Sequence, residues 1–146
     1  MARPSTAPQD PQRALHSERP AWAWKRVNEA NNCGKVTTEY AIQARKLPAR
    51  IQTNGLGQTL AFLYSKSKGD KSERKGDKGE TLLLIHLGER IKPLLQSDRD
   101  LSDPDKIMHA LVHMTPDEYR RCTHELMVSA EWLKRFADGL FEKGSE

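Results

Sequence analysis

Cysteines and long apolar runs are both scarce in this chain of 146 residues. Its two cysteines, Cys33 and Cys122, fit neither a disulfide framework nor the spacing of a zinc site. The longest apolar run covers residues 60–64, whereas a membrane span needs roughly 18 apolar residues. Residues 1–8 contain no apolar block of the kind that marks a secretory signal. We therefore expect a reduced, cytoplasmic protein without a membrane segment.

Patterns that indicate catalysis are also lacking. His109 and His113 are four residues apart, the spacing of paired metal ligands on a helix, and Cys122 or His124 would have to supply a third ligand. No glutamate stands next to His109 in the arrangement of a zinc hydrolase. Residues 55–57 lack the Lys-Ser/Thr of a phosphate-binding loop. We expect no enzyme activity, no catalytic or metal-binding residues and no cofactor, and keep a metal-dependent hydrolase at the two histidines as an open alternative.

The composition indicates one small, polar domain. Charged residues make up 30% of the chain and apolar residues 36%, while average domains are roughly 25% charged. Residues 1–78 carry 15 Lys and Arg against 7 Asp and Glu, whereas residues 79–146 carry 9 against 13. The two parts therefore have charges of +8 and −4, which sum to the net charge of +4. If copies of the chain stacked head to tail, these ends would attract each other.

Helical signals run through the first half of the chain. A first helix is predicted from Asp10-Pro11 to about residue 32, with a kink or a restart near residues 17–18 because Pro20 removes a hydrogen-bond donor. A second helix covers residues 39–53 and is expected to divide at Pro48. The Asn-Gly pair at 54–55 ends that helix, and a third one follows over residues 56–67.

Three further helices are predicted in the second half. The first covers residues 80–96 and bends before Pro93, the second covers 104–114, and the third starts after Thr115 with a capping box and reaches about residue 138. The apolar stripe of the last helix is Tyr119, Cys122, Leu126, Ala130, Leu133 and Ala137. We therefore predict an all-α, compact single-domain bundle of about six helices over residues 11–146, with a disordered tail at 1–10 and a mobile charged loop at 68–79.

Basic residues of the first half form a candidate patch for a nucleic-acid backbone. Lys46 and Arg50 are one helical turn apart, and Arg45 adjoins them. Lys25 and Arg26 add charge nearby in the sequence. Cations aligned on a helix face can follow a phosphate backbone without reading bases. An ordinary solvated helix face remains the alternative.

Tryptophans supply candidate contacts with partners. Trp22 and Trp24 are two residues apart, so one side of a helix cannot bury both. Trp24 is expected in the core together with Val27. Trp22 and Trp132 lie off the main apolar stripes and are candidate partner-interface residues, since tryptophan is enriched at interface hot spots.

A block of eighteen residues, 46–63, resembles a known family. It reads KLPARIQTNGLGQTLAFL and is similar to the signature of the small, fifth subunit of the Cmr module, the type III-B CRISPR effector. That family has Lys-Leu-Pro, then Asn-Gly-Leu, then a Leu-Ala-Phe-Leu helix. The helix with Ala-Trp-Ala-Trp at 21–24 and the final amphipathic helix also occupy the family's positions.

The resemblance implies a non-catalytic structural subunit that acts in antiviral defence. It implies several copies stacked along the guide–target RNA path, beside nuclease-bearing backbone subunits that cleave the target. The expected partners are other Cmr subunits, further copies of the chain, guide RNA and target RNA, with no membrane and no small-molecule substrate. A free-standing helical nucleic-acid-binding adaptor is the alternative. We expect Arg45, Lys46 and Arg50 to face RNA while the stability of the bundle does not depend on them.

Overall fold

The computed structural model describes residues 11–34, 37–68, 78–96 and 99–141, with side chains from residue 18 onward, and these ranges consist of helices joined by short connections. Within these ranges the α-helices are α1 (Pro11–Asn31), α2 (Thr37–Ser67), α3 (Gly79–Ile91), α4 (Pro104–Val112) and α5 (Pro116–Leu140). A 3₁₀ turn, Lys92–Leu94, follows α3. Gly55 has non-helical angles and divides α2, which gives six helical segments. The prediction of an all-α bundle of about six helices is confirmed.

Two predicted segments fall largely beyond this description. The expected tail at 1–10 and residues 69–77 of the expected loop at 68–79 lie outside the described residues. Among the residues that are described, no helix is both long enough and apolar enough to cross a bilayer.

Local capping signals fix where several helices begin and end. Asp103 accepts a hydrogen bond from the Lys106 amide at 2.9 Å and caps α4. At the start of α5, the Thr115 hydroxyl accepts from the Glu118 amide at 3.1 Å, and the Glu118 carboxylate accepts from the Thr115 amide at 2.9 Å. Gly34, with φ 58°, follows the end of α1. These contacts satisfy donors that a helix start leaves open, and the predicted capping box is confirmed.

Prolines interrupt the helices less than the sequence indicates. α1 continues through Pro20, so the restart predicted near residues 17–18 does not occur. Pro48 is buried inside α2, which continues to the break at Gly55. The predicted division at Pro48 is therefore wrong. A proline inside a helix loses one backbone hydrogen bond, and here the burial of Pro48 with Leu47 offsets that loss.

The core lies where α2 and α5 meet. α2 packs against α5 and α3, α1 lies along α5, and α4 covers part of α2 and α3. The predicted stripe of α5 is buried from Cys122 to Ala137, but Tyr119 is 38% exposed. Trp24 is 50% exposed, so its predicted place in the core is wrong. Ala23 and Val27 are buried instead, and the adjacent position 24 points about 100° away from Ala23 around the helix.

A buried ion network joins α1, α3 and α5. One oxygen of the Glu125 carboxylate lies 2.7 Å from Arg19 Nη2, and the other lies 2.9 Å from Arg90 Nε and accepts from Ser129 Oγ at 2.9 Å. Burial alone would raise the pKa of Glu125, but the hydrogen bonds from Arg19 and Ser129 and the charge of Arg90 outweigh it and hold that pKa below its usual range. The network therefore sets how α1 and α3 lie on α5.

A second polar chain links α1, α2 and α3. The Tyr40 hydroxyl lies 2.7 Å from His86 Nδ1, and His86 Nε2 lies 3.1 Å from Glu29 Oε1. Burial lowers the pKa of His86 below its usual range, so the ring is neutral near pH 7. The neutral ring accepts from Tyr40 and donates to Glu29. Both ring nitrogens are occupied, which makes this chain a structural link.

Replacement of Glu125 tests the ion network. We expect Glu125→Gln to lower the free energy of unfolding by about 3–5 kcal/mol, because Arg19 and Arg90 would stay buried without their shared carboxylate. Glu131→Gln removes an exposed carboxylate from the same helix and should change stability by less than about 0.5 kcal/mol. Urea unfolding of both variants measures the difference, and equal effects would contradict the assignment.

The acid dependence of stability gives a second test. The pKa of Glu125 is lower in the folded chain than in the unfolded one, so the unfolded state binds the proton first as the pH falls. The stabilisation is fully present above the unfolded pKa of about 4.3 and is lost as the pH falls through the folded value. Wild type should therefore lose more stability than Glu125→Gln between about pH 5 and pH 2. Urea unfolding at each pH measures the loss of stability, and equal losses in wild type and Glu125→Gln would contradict the assignment.

Candidate nucleic-acid interface

The predicted RNA-facing residues of α2 lie beside the break at Gly55. Gly55 has φ 86° and ψ 166°, a region that essentially only glycine adopts. Thr59 Oγ1 donates to the Gly55 carbonyl at 2.8 Å, and the Gly57 amide donates to the Tyr119 hydroxyl of α5 at 2.9 Å. A Cβ at residue 57 would lie 3.2 Å from that hydroxyl. The first glycine therefore permits the bend, and the second lets Tyr119 approach it closely.

The bend brings an aromatic ring against two cations. Arg50 Cζ lies 4.0 Å from the ring centroid of Phe62, and Lys66 Nζ lies 5.6 Å from it. Lys46, one turn before Arg50, is exposed. Within the described residues, none of these three cations has a carboxylate partner, and Arg50 Nε is buried without a hydrogen-bond partner. We call Lys46, Arg50, Phe62 and Lys66 the cationic face.

Arg45 adjoins this face but is held by the end of α5. Its Nε lies 3.3 Å from Asp138 Oδ1, and its Nη2 donates to the Phe141 carbonyl at 3.4 Å. Only 12% of the Arg45 side chain is exposed. These contacts give Arg45 a part in joining α2 to α5, which its spacing in the sequence does not indicate. Its contact with RNA stays a prediction.

Lys25 and Arg26 are neighbours with different surroundings. Arg26 Nε lies 2.6 Å from Glu89 Oε1, and Arg26 Nη1 lies 2.9 Å from Glu29 Oε2. The hydrogen bond to Glu89 raises the pKa of Arg26 above its usual value. Lys25 is exposed and has no ion pair among the described residues. Of this pair, Lys25 is the cation more open to an external anion.

The tryptophans differ in how far they are committed to the fold. Trp22 is half-buried, donates to Glu89 Oε1 at 2.9 Å and has Arg90 Cζ 5.3 Å from its ring. Trp132 is half-buried, with its ring 5.6 Å from that of Phe136. The proposed partner contacts of Trp22 and Trp132 stay predictions. The rings of Trp24 and Phe136 meet edge-on, with their centroids 5.2 Å apart. Trp24 exposes a larger fraction of its surface than Trp22 or Trp132 does.

His109 of α4 and His113, which directly follows α4, lie side by side. The rings of His109 and His113 are 4.3 Å apart, and His113 Nδ1 lies 2.8 Å from the His109 carbonyl. Cys122 is fully buried, and burial raises its pKa to about 12, so it is a neutral thiol at physiological pH. In the part of the chain that the structure describes, no three His, Cys, Asp or Glu residues are grouped to hold a metal ion.

Sequence reasoning does not find Phe62 and Lys66. A signal was present, because Phe62 lies off the apolar stripe through Leu56, Leu60 and Leu63, and Lys66 follows it by one helical turn. The break at residues 54–55 is predicted, but the direction that the chain takes after it is not. Helical spacing does not predict that Arg50 reaches Phe62 across a break in the helix.

These observations define a small all-α protein with a basic face free of carboxylates in its described part. The family described as "CRISPR-associated protein (Cas_Cmr5)" matches residues 15–140. The chain belongs to this Cmr5 family, and the resemblance inferred from residues 46–63 is confirmed.

Two relatives from Thermus thermophilus extend the comparison. The chain is 31% identical to the "CRISPR system Cmr subunit Cmr5" over 121 residues. This alignment covers 83% of this chain and 90% of that protein. It also matches the crystal structure of "a CRISPR-associated Cmr5 family protein" with a TM-score of 0.67 and 27% identity, over 88% of this chain and 98% of that one. Sequence and fold therefore agree over most of the chain.

Substitution at the bend tests the role of its glycine. Gly55→Ala should lower the free energy of unfolding by about 1–3 kcal/mol, because alanine is strained at a positive φ with this ψ. Gly139→Ala is the matched control: it lies within α5, and its Cβ would meet nothing within 4 Å. That variant should gain about 0.5–1 kcal/mol. Urea unfolding measures both, and a neutral Gly55→Ala would be the contrary result.

Proposed function

We propose that this protein is a non-catalytic, structural subunit of a type III-B CRISPR Cmr ribonucleoprotein. Membership of the Cmr5 family and a relative named as a Cmr subunit support its place in such an assembly. The structural observation that carries the proposal is the cationic face, in which Arg50 and Lys66 lie over Phe62 and the exposed Lys46 precedes Arg50 by one helical turn. Cations that have no carboxylate partner in the described parts of the chain can neutralise an RNA backbone.

Three buried reactive groups, those of Cys122, His86 and Glu125, support a non-catalytic role. The thiol of Cys122 is buried and its pKa is raised to about 12. His86 has hydrogen bonds at both ring nitrogens, and Glu125 is occupied by two arginines. Groups committed in this way do not attack or protonate a substrate. In this proposal, cleavage of target RNA belongs to partner subunits.

Contacts with RNA are divided among the five predicted basic residues. Lys46 and Arg50 belong to the cationic face, and Lys25 is exposed. These three are proposed to contact guide or target RNA directly. Arg26 and Arg45 have carboxylate partners in the isolated chain, so they contact RNA only if a phosphate replaces or joins those partners. Phosphate contacts of this kind give affinity without sequence specificity.

Stacking of several copies along the RNA is the second part of the proposal. The basic residues 1–78 and the acidic residues 79–146 have opposite net charges, and head-to-tail contacts between copies would bring them together. Trp22 and Trp132 are the proposed contact residues with partners. Both are half-buried, so each could cover more surface when a partner packs on it.

Affinity purification tests the assembly. A tagged copy expressed in its native host should recover other Cmr subunits together with guide RNA, whereas an untagged culture taken through the same steps should recover neither. Recovery of this protein alone at low salt would contradict the proposal and favour a free-standing adaptor.

Exchange of single lysines tests the RNA contact. Lys46→Ala should keep the unfolding midpoint and the assembly, yet bind complementary RNA more weakly. The slope of log K against log salt should fall by about 0.7 for every copy that contacts RNA. Lys92→Ala, which removes an exposed lysine from the acidic part of the chain, is the control of equal charge. Filter binding over a range of KCl concentrations measures both. Equal slopes for both variants would show that position does not matter and would contradict the assignment.

A further inference from the structure

The ring of Phe62 contacts two cations. Arg50 Cζ and Lys66 Nζ lie 4.0 and 5.6 Å from its ring centroid. The ring attracts each of them, but the two like charges repel each other. Elsewhere the fold supplies acids to its arginines: Glu125 bridges Arg19 and Arg90. At Phe62 no carboxylate of the described residues lies within ion-pair distance of Arg50 or Lys66, so an external anion can bind the pair without displacing one of them.

We infer that Arg50 and Lys66, held on Phe62, form a clamp for a backbone phosphate of single-stranded RNA. This inference rests on the proposed function and assigns Phe62 and Lys66 to its RNA contact. Because Arg50 Nε is buried without a partner, the terminal guanidinium nitrogens are the donors that meet the ligand. Their fork can bind phosphate bidentately, and the ammonium of Lys66 adds a point charge.

The bend in α2 sets the geometry of the clamp. Arg50 lies before Gly55, and Phe62 and Lys66 lie after it. The bond from the Gly57 amide to Tyr119 ties this bend to α5. The two cations are therefore positioned by the fold before RNA binds, which lowers the cost of ordering them.

Charge and spacing favour RNA over an acidic protein segment. Lys46 lies one helical turn from Arg50 and is exposed, so the cationic face presents three cations in succession. RNA carries a negative charge at every nucleotide, so successive phosphates can meet successive cations, whereas a protein segment offers a carboxylate only where it has Asp or Glu. Aromatic rings among basic residues are also typical of grooves that bind single strands.

A substitution without change of charge tests the clamp most directly. Phe62→Leu keeps an apolar side chain but removes the ring, so a reconstituted Cmr complex carrying it should bind a complementary single-stranded RNA oligonucleotide about two- to five-fold more weakly. Phe62→Tyr keeps the ring and should bind like wild type. Phe136→Leu is the matched control, because the ring of Phe136 contacts Trp24 and Trp132 and not the two cations. This variant should leave RNA affinity unchanged.

The salt dependence of RNA binding gives a second measurement, made first on variants that keep Phe62. Arg50→Ala and Lys66→Ala should each reduce the slope of log K against log salt by about 0.7 for every copy that contacts RNA. In the Phe62→Leu background, Lys66→Ala should have a smaller effect on affinity, since both changes disrupt one unit.

Assembly of each variant, followed by size-exclusion chromatography, separates the outcomes. Complexes that assemble normally and bind RNA like wild type in all variants would overturn the clamp and leave the proposed function intact. Folded variants at Phe62 or Lys66 that fail to join the complex would overturn it in favour of a protein contact at this face. Failure of the wild-type chain to join other Cmr subunits would overturn both proposals. Weaker RNA binding by fully assembled variants supports the clamp.

Discussion

The shared carboxylate of Glu125 is the contact on which the arrangement of the helices depends. It binds Arg19 of α1 and Arg90 of α3 from its position on α5, so three elements that are distant in sequence meet at one buried group. Apolar packing alone is non-directional, whereas these hydrogen bonds have defined geometry. The bend of α2, and hence the cationic face, lies on a framework whose helix positions this carboxylate sets.

The fold could be predicted from the sequence where local signals govern it. The capping box at Thr115 and the turn glycine at residue 55 depend on nearby backbone alone, and both occur where the sequence indicates. Pro48 and Trp24 could not be placed in this way. Burial decides whether Pro48 breaks α2. Ala23 and Val27 take the buried side of α1, which leaves Trp24 half-exposed at the edge of the core.

In the candidate site, too, local features could be predicted from the sequence and contacts between distant residues could not. The proximity of Lys46 and Arg50 follows from helical spacing, and composition singles out the basic part of the chain. Contacts across the fold cannot be read in this way: Asp138 lies beside Arg45, and Phe62 lies beneath Arg50, only because α5 and the bend bring them there. Spacing thus identifies cations but does not tell which ones the fold has already paired.

The two cysteines differ in burial, so their reactivity can report how often the core of the bundle opens. Cys33 is exposed near the end of α1, whereas Cys122 lies fully buried on α5. A thiol reagent reaches the first in the native chain and the second only when the core opens. The ratio of the two labelling rates therefore measures how often the core of the bundle separates, with Cys33 as the standard for reagent strength in every molecule.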